Sequence, residues 1–140
     1  MSERNRALAL RWFEEVWNQR LTSTVDELLA PNCVAHMEGS DIRAPDQFKE
    51  VRTALLTAFP DLRVKVEETV ADGDTVVVRW TATGTHLGAM LGIQATRTSV
   101  DFRGMTLQRF REGRIVEGWD SWNQGVLVET LRLAATTAQS

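Results

Sequence analysis

The sequence predicts an α+β domain, with helices first and hairpin-linked strands afterwards, the helices packed on one face of an antiparallel sheet. Three observations lead there. Apolar residues recur at helical spacing as far as Phe59, from Leu62 the spacing drops to two, and Pro, Gly and Asp clusters mark the boundaries. If the sheet is strongly curved, the space between it and the helices becomes a pocket.

The first helix rests on Ala9, Trp12, Phe13, Val16 and Trp17, at i, i+3, i+4, i+7 and i+8. It should begin near Ser2 as N-cap, with Glu3 in its first turn, and fray after Asn18. A second short helix starts at Ser23 or Thr24, buries Val25, Leu28 and Leu29, and stops at Pro31. Cys33–Met37 reads as a strand or an extended linker, broken by Gly39, Ser40 and Asp41. Pro45 suits the first turn of a third helix, whose stripe runs Phe48, Val51, Arg52, Leu55, Leu56 and Phe59 to a stop at Pro60. Leu62, Val64 and Val66 alternate with Arg63, Lys65 and Glu67 as a half-buried strand. Asp72-Gly73-Asp74 turns the chain into a strand over Thr75–Thr85, rich in Val, Thr and Trp. Gly84, Gly88 and Gly92 break up a long connection through Thr96. Thr98–Arg111 is the next strand, with Gly104 a candidate bulge or bend. Glu112-Gly113 makes a tight hairpin to Arg114–Trp122. Gln124–Ala135 closes the chain as a helix with Val126, Leu127, Thr130, Leu131 and Ala134 on one side, leaving Thr136–Ser140 loose.

At 140 residues the chain fits one domain, residues 1–140, and 43% hydrophobic with 25% charged residues is enough for one core. A net charge of −3 disfavours nucleic acid and anionic membrane surfaces as partners. No segment has the length of apolar sequence a membrane helix needs, and the N-terminus lacks a signal-peptide core, so the expected location is cytoplasmic. The lone Cys33 gives no sign of an oxidising compartment. Ten large aromatic residues are five Trp and five Phe, with no Tyr, a composition that lines cores and also pockets for flat apolar ligands.

The segment Glu117-Gly118-Trp119-Asp120-Ser121-Trp122-Asn123 carries the chemistry. Asp is disfavoured inside strands, yet the period of two puts Asp120 on one face with Val116, Gly118 and Trp122. A carboxyl facing an apolar interior has its pKa raised and can exchange a proton near neutral pH. The same sequence also fits a carboxylate at a sheet edge or paired with arginine. His36 and His86 are the other proton-transfer candidates. Trp12, Phe13, Trp17, Phe59, Met90 and Trp122 are candidates to line a substrate pocket, with Gln108 as a polar contact. No metal site is expected, since Cys33 and His36 have no second ligand pair nearby, and no cofactor: the glycines at 84, 88 and 92 do not form a phosphate-binding Gly-x-Gly-x-x-Gly. There is no Gly-x-Ser-x-Gly elbow for nucleophilic catalysis.

Taken in order, several segments resemble the SnoaL-like polyketide cyclases. They are Val16-Trp17-Asn18, Val34-Ala35-His36, Ala58-Phe59-Pro60-Asp61-Leu62, Val76-Val77-Val78-Arg79-Trp80, Gly84-Thr85-His86-Leu87-Gly88, Leu91-Gly92-Ile93, Phe102-Arg103-Gly104, and Phe110 through Asp120. The resemblance implies a curved antiparallel sheet round a conical pocket, an α+β barrel or cone closed by helices, and a homodimer. It implies cofactor-independent aldol closure of a polyketide ring, with Asp120 as acid–base on a small apolar or polycyclic substrate. Some members carry a histidine on the preceding strand; Met105-Thr106-Leu107-Gln108 has none, and Gln108 can stand in as a donor but not as a proton carrier. Two other readings stay open. One is epoxide hydrolysis or isomerisation of another apolar substrate; the other is a non-catalytic small-molecule-binding dimeric module with Asp120 solvated or ion-paired.

Overall fold

Helix and sheet divide the chain close to where the apolar period changes. The computed structural model describes residues 2–37 and 39–139, of which 137–139 by backbone alone. Helix α1 (Ser2–Trp12) continues as a π-helical segment, Phe13–Asn18. Then follow α2 (Thr22–Leu28), β1 (Leu29–Met37), β2 (Ser40–Arg43) and α3 (Asp46–Ala58). The strands β3 (Arg63–Asp72), β4 (Thr75–Thr85), β5 (Ser99–Arg111) and β6 (Arg114–Trp122) come next, and α4 (Gln124–Gln139) ends the chain.

The sheet has six strands in the order β2-β1-β6-β5-β4-β3 and stays open, with β2 and β3 as its edges. It is mixed where a fully antiparallel sheet was expected, because β1 pairs with β6 in parallel while every other neighbouring pair is antiparallel. Helix α1 packs on β3 and β4, and α3 on β2. Strand β5 alternates cleanly, with Val100, Thr106, Gln108 and Phe110 buried between exposed neighbours.

Several local expectations are corrected. Ser2 is helical, and its Oγ accepts the Gly73 N–H at 2.9 Å, so this hydroxyl ties α1 to the β3–β4 turn instead of capping the helix. Helix α2 ends before Pro31, which lies within β1 where pairing to β6 is interrupted between Leu29 and Val34. A residue without an N–H is tolerated in such a gap. Helix α4 runs on to Gln139, past Ala135, with Leu127 and Leu131 buried but Val126 exposed; Ser140 lies outside the described residues.

The π-helical segment winds residues five apart towards one side. Trp12 and Trp17 therefore both reach Phe48 of α3, at ring distances of 5.2 and 5.9 Å. The buried Arg52 of α3 donates to Val16 O at 3.0 Å and to Thr22 Oγ1 at 3.2 Å, which holds this segment and α2 together.

A bulge in β6 sets the faces of the last two strands. Phe110 pairs with Ile115, but Arg109 pairs with Glu117, so Val116 is the extra residue. The shift turns Ile115 inward and, beyond Val116, also Gly118, Asp120 and Trp122. Gly104 makes no bulge: it pairs in register with Trp80 on one side and Trp122 on the other. A Cβ there would stand 2.6 Å from Ser121 O, 2.6 Å from Trp122 Cβ and 2.7 Å from Trp80 Cζ2. The Trp80 indole, the Trp122 Cβ and the Ser121 backbone occupy the room a side chain would take. Gly104→Ala is therefore expected to destabilise the fold by about 1–3 kcal/mol, read as a lower urea midpoint; an unchanged midpoint would contradict this packing.

Candidate functional site

Between the sheet and the helices lies a cavity of about 870 Å³, counted out to its open mouth. Its wall is mainly apolar. Trp12, Phe13 and Trp17 come from the first helix and its π-helical extension, Phe48 and Leu55 from α3, Trp80 from β4, Phe102 from β5 and Trp122 from β6. Leu29, Cys33, Ala35 and Met37 contribute the inward side of β1. Burial, with Glu117 adding to it, pushes the Cys33 thiol up to about 11, so it remains a neutral, weakly nucleophilic wall group.

Three polar side chains interrupt this wall: Thr106, Gln108 and Asp120. Thr106 and Asp120 are cross-strand partners. Asp120 Oδ1 accepts the Thr106 hydroxyl at 2.6 Å, and Thr106 Oγ1 accepts the Trp80 indole N–H at 3.0 Å. An indole only donates, so the threonine must direct its single hydrogen at the carboxyl. The chain of bonds orients Asp120 from the indole of Trp80, two strands away on β4. Burial raises the Asp120 pKa above its ordinary value of 3.8; the Thr106 hydrogen bond opposes this with a smaller effect.

Sequence reasoning placed Asp120 and Trp122 on one face, and the structure brings them together with Trp12, Phe13, Trp17 and Gln108 around one cavity. It puts His36, His86, Phe59 and Met90 outside that wall. His36 stands on the other side of β1 from Ala35 and Met37, its ring stacked on Trp119 at 4.8 Å. Nε2 is 2.8 Å from Glu117 and Nδ1 2.8 Å from Asp41, two carboxylates that a doubly protonated ring satisfies at once. His86 is fully buried behind Phe59, their rings 5.7 Å apart. Its Nδ1 accepts the Thr96 N–H at 3.2 Å, which leaves the proton on Nε2, and burial lowers its pKa. Phe59 packs in turn on Phe102, one layer behind the cavity, and Met90 bridges to Ile93 in the loop after β4. Thr106 and Trp80 were not singled out as site residues from sequence. The signal for Thr106 was its spacing of two from Gln108 on the same strand.

Among the described residues no group of three or more His, Cys, Asp or Glu side chains is placed to hold a metal ion. Nor, among them, is any helix long and apolar enough to cross a membrane.

Comparison with known proteins gives a consistent result. The sequence profile of the SnoaL-like polyketide cyclases matches residues 7–130. A proposed hydroxylase from Streptomyces galilaeus, AclR, is 31% identical over 94% of this chain and 97% of its own, with a TM-score of 0.83. IdmH, a proposed polyketide cyclase from Streptomyces antibioticus, is 26% identical over 95% of this chain and 98% of its own, with a TM-score of 0.78. A proposed SnoaL-like polyketide cyclase from Jannaschia sp. CCS1 shares the fold at a TM-score of 0.87, with 24% identity over 93% of this chain and 92% of its own. No curated protein sequence matches the chain.

Two pH effects follow. A raised pKa means that folded Asp120 holds its proton more tightly than the unfolded chain does, so its burial costs stability increasingly as pH rises from about 3.8 through the raised value. Asp120→Asn should therefore be more stable than wild type at pH 7, and the gap in thermal midpoint should close towards pH 3.5; a pH-independent gap would contradict the buried carboxyl. His36 runs the other way. Glu117 first and Asp41 second raise its pKa above 6.5, so its contribution is complete below 6.5 and lost as pH rises through the folded value. His36→Gln should flatten the decline in stability above pH 6.5, read by denaturation at a series of pH values.

Proposed function

The chain belongs to the SnoaL-like polyketide cyclase family, and on that premise we propose that it is a cofactor-independent enzyme whose acid–base group is Asp120. The observation that carries this reading is the carboxyl itself, set in an apolar cavity wall, raised in pKa by burial and aimed by the Thr106 hydroxyl. Such a group takes a proton from carbon where a solvated carboxylate would not, because its conjugate acid is closer in strength to the carbon acid.

In the cyclisation, ionised Asp120 removes a proton α to a carbonyl, leaving an enolate. The enolate carbon attacks a second carbonyl of the same molecule, the new C–C bond closes the ring, and the alkoxide recovers the proton from Asp120. Nothing enters or leaves, so the step is an isomerisation. The cavity's contribution is to hold the two reacting carbons together while excluding water, which can supply a large share of the barrier reduction. Trp12, Trp17, Phe48 and Trp122 offer flat faces for an apolar, polycyclic substrate. His36 and His86 take no part in this scheme, since neither belongs to the cavity wall. The homodimer implied by the family is part of the same proposal. It is supported by the exposed Met105, 53% accessible on the outward-facing side of β5.

The likeness to AclR favours a second reading, in which the same cavity holds such a substrate while dioxygen, with two electrons from a separate reductant, supplies one oxygen to a new hydroxyl and loses the other as water. Product mass separates the two, because cyclisation leaves it unchanged and hydroxylation adds an oxygen.

The acid–base role is tested without knowing the natural substrate. Exchange of the α-hydrogens of 1-tetralone in deuterated water, followed by proton NMR, should be accelerated by wild type. Asp120→Asn should lower that rate by about 100-fold or more, down to the solvent background, while folding normally. Full exchange by the variant would remove Asp120 from the mechanism.

A further inference from the structure

Three buried side-chain polar atoms among the described residues have no hydrogen-bond partner: Arg6 Nε, His86 Nε2 and Gln108 Oε1. Of these, the Gln108 atom alone belongs to the cavity wall. The residue is 3% exposed. Its cross-strand partner on β6 is Gly118, which contributes no side chain to stand in front of the amide. Even a Cβ added at Gly118 would meet a single atom within 4 Å, Leu107 O at 3.6 Å, so that side of the wall is open. The next inward residue on β5, Thr106, is already committed, its hydrogen to Asp120 and its oxygen to Trp80. Gln108 therefore presents an unspent carboxamide to whatever fills the space beside Asp120.

We propose that Gln108 is the specificity-determining residue of this cavity: its carboxamide selects flat apolar ligands that carry a hydroxyl on the edge facing β5 and β6. The inference rests on the reading of the cavity as a small-molecule site, and it deepens that reading by adding a required functional group. The amide oxygen is already shut off from water in the free protein and has no partner there. A ligand hydroxyl that donates to Oε1 supplies the hydrogen bond this oxygen lacks. A methoxy group at the same position has no hydrogen to give, so the amide oxygen stays buried and unpaired. Sites built to bond a hydroxyl reject the analogue without it for this reason.

The test is a cycle of two ligands and two proteins, read by calorimetry. Wild type should bind 1-naphthol about tenfold or more tightly than 1-methoxynaphthalene. In Gln108→Met, which keeps the side-chain length and removes the amide, that preference should fall to within about twofold, chiefly because 1-naphthol loses its hydrogen-bond acceptor. An equal preference in both proteins would overturn the proposal, and so would a wild type indifferent to the hydroxyl. Should Gln108→Met fail to fold, Gln108→Asn, which withdraws the amide by one methylene, must show the same collapse of preference. Asp120 is intact in every arm and no turnover is required. A lost cycle therefore counts against Gln108 alone, and failed tetralone exchange against Asp120.

Discussion

What this cavity can do follows from Thr106 and Asp120 being cross-strand partners, and that pairing depends on the extra residue Val116 in β6. Continue the hairpin register from Phe110 and Ile115 without the bulge, and Thr106 would stand opposite Trp119. Asp120 would then stand opposite Met105, whose side chain is exposed on the face away from the cavity. A slip of one residue exchanges the faces of a strand. Here the slip is built in. It lets Ile115 complete the core near the hairpin and still delivers Gly118, Asp120 and Trp122 to the cavity further along. The carboxyl is thus committed to the half-buried, cavity-facing side of the sheet by backbone geometry, and Thr106 and Trp80 then fix how it points.

That arrangement is unfavourable for folding and useful for proton transfer, for one reason. Removing water from a carboxyl disfavours its charged form, which costs stability at neutral pH and brings its pKa towards the working range of an acid–base group. The Trp80–Thr106–Asp120 chain moderates both effects by giving the charged form one well-aimed donor. Gly104 belongs to the same design, because its missing side chain makes room for Trp80 and Trp122 on either side. The outer side of the sheet shows the opposite regime, where Glu117 and Asp41 favour the charged form of His36 and hold it away from the cavity.

Much of the fold was legible in the sequence, because period and punctuation are local. The switch of spacing near Leu62, the Asp72-Gly73-Asp74 turn and the Glu112-Gly113 hairpin locate β3, β4, β5 and β6 closely, and the order of motifs carries the family. The parallel seating of β1 beside β6 was not legible, since it depends on which sheet edge a short strand finds. For the site, a period of two grouped Asp120 with Gly118 and Trp122, but it grouped Val116 with them as well. The bulge lies at Val116 itself, an ordinary strand residue with no mark of irregularity, so Ile115 takes the inward place. His36 and His86 drew notice as titratable groups. Their partners, Glu117 and Asp41 for one and Thr96 for the other, are set by tertiary contacts that no local pattern reveals. Thr106 is the converse case, an unremarkable strand threonine until its neighbours on β4 and β6 are known.

The most direct measurement of the central claim is a titration of the Asp120 side-chain carboxyl by carbon-13 NMR. The account predicts an inflection clearly above the ordinary aspartate value of 3.8, moving higher still in Thr106→Val, where the aimed hydroxyl is gone. An inflection at or below 3.8, unmoved by that substitution, would mean that water reaches the carboxyl freely and would contradict the account.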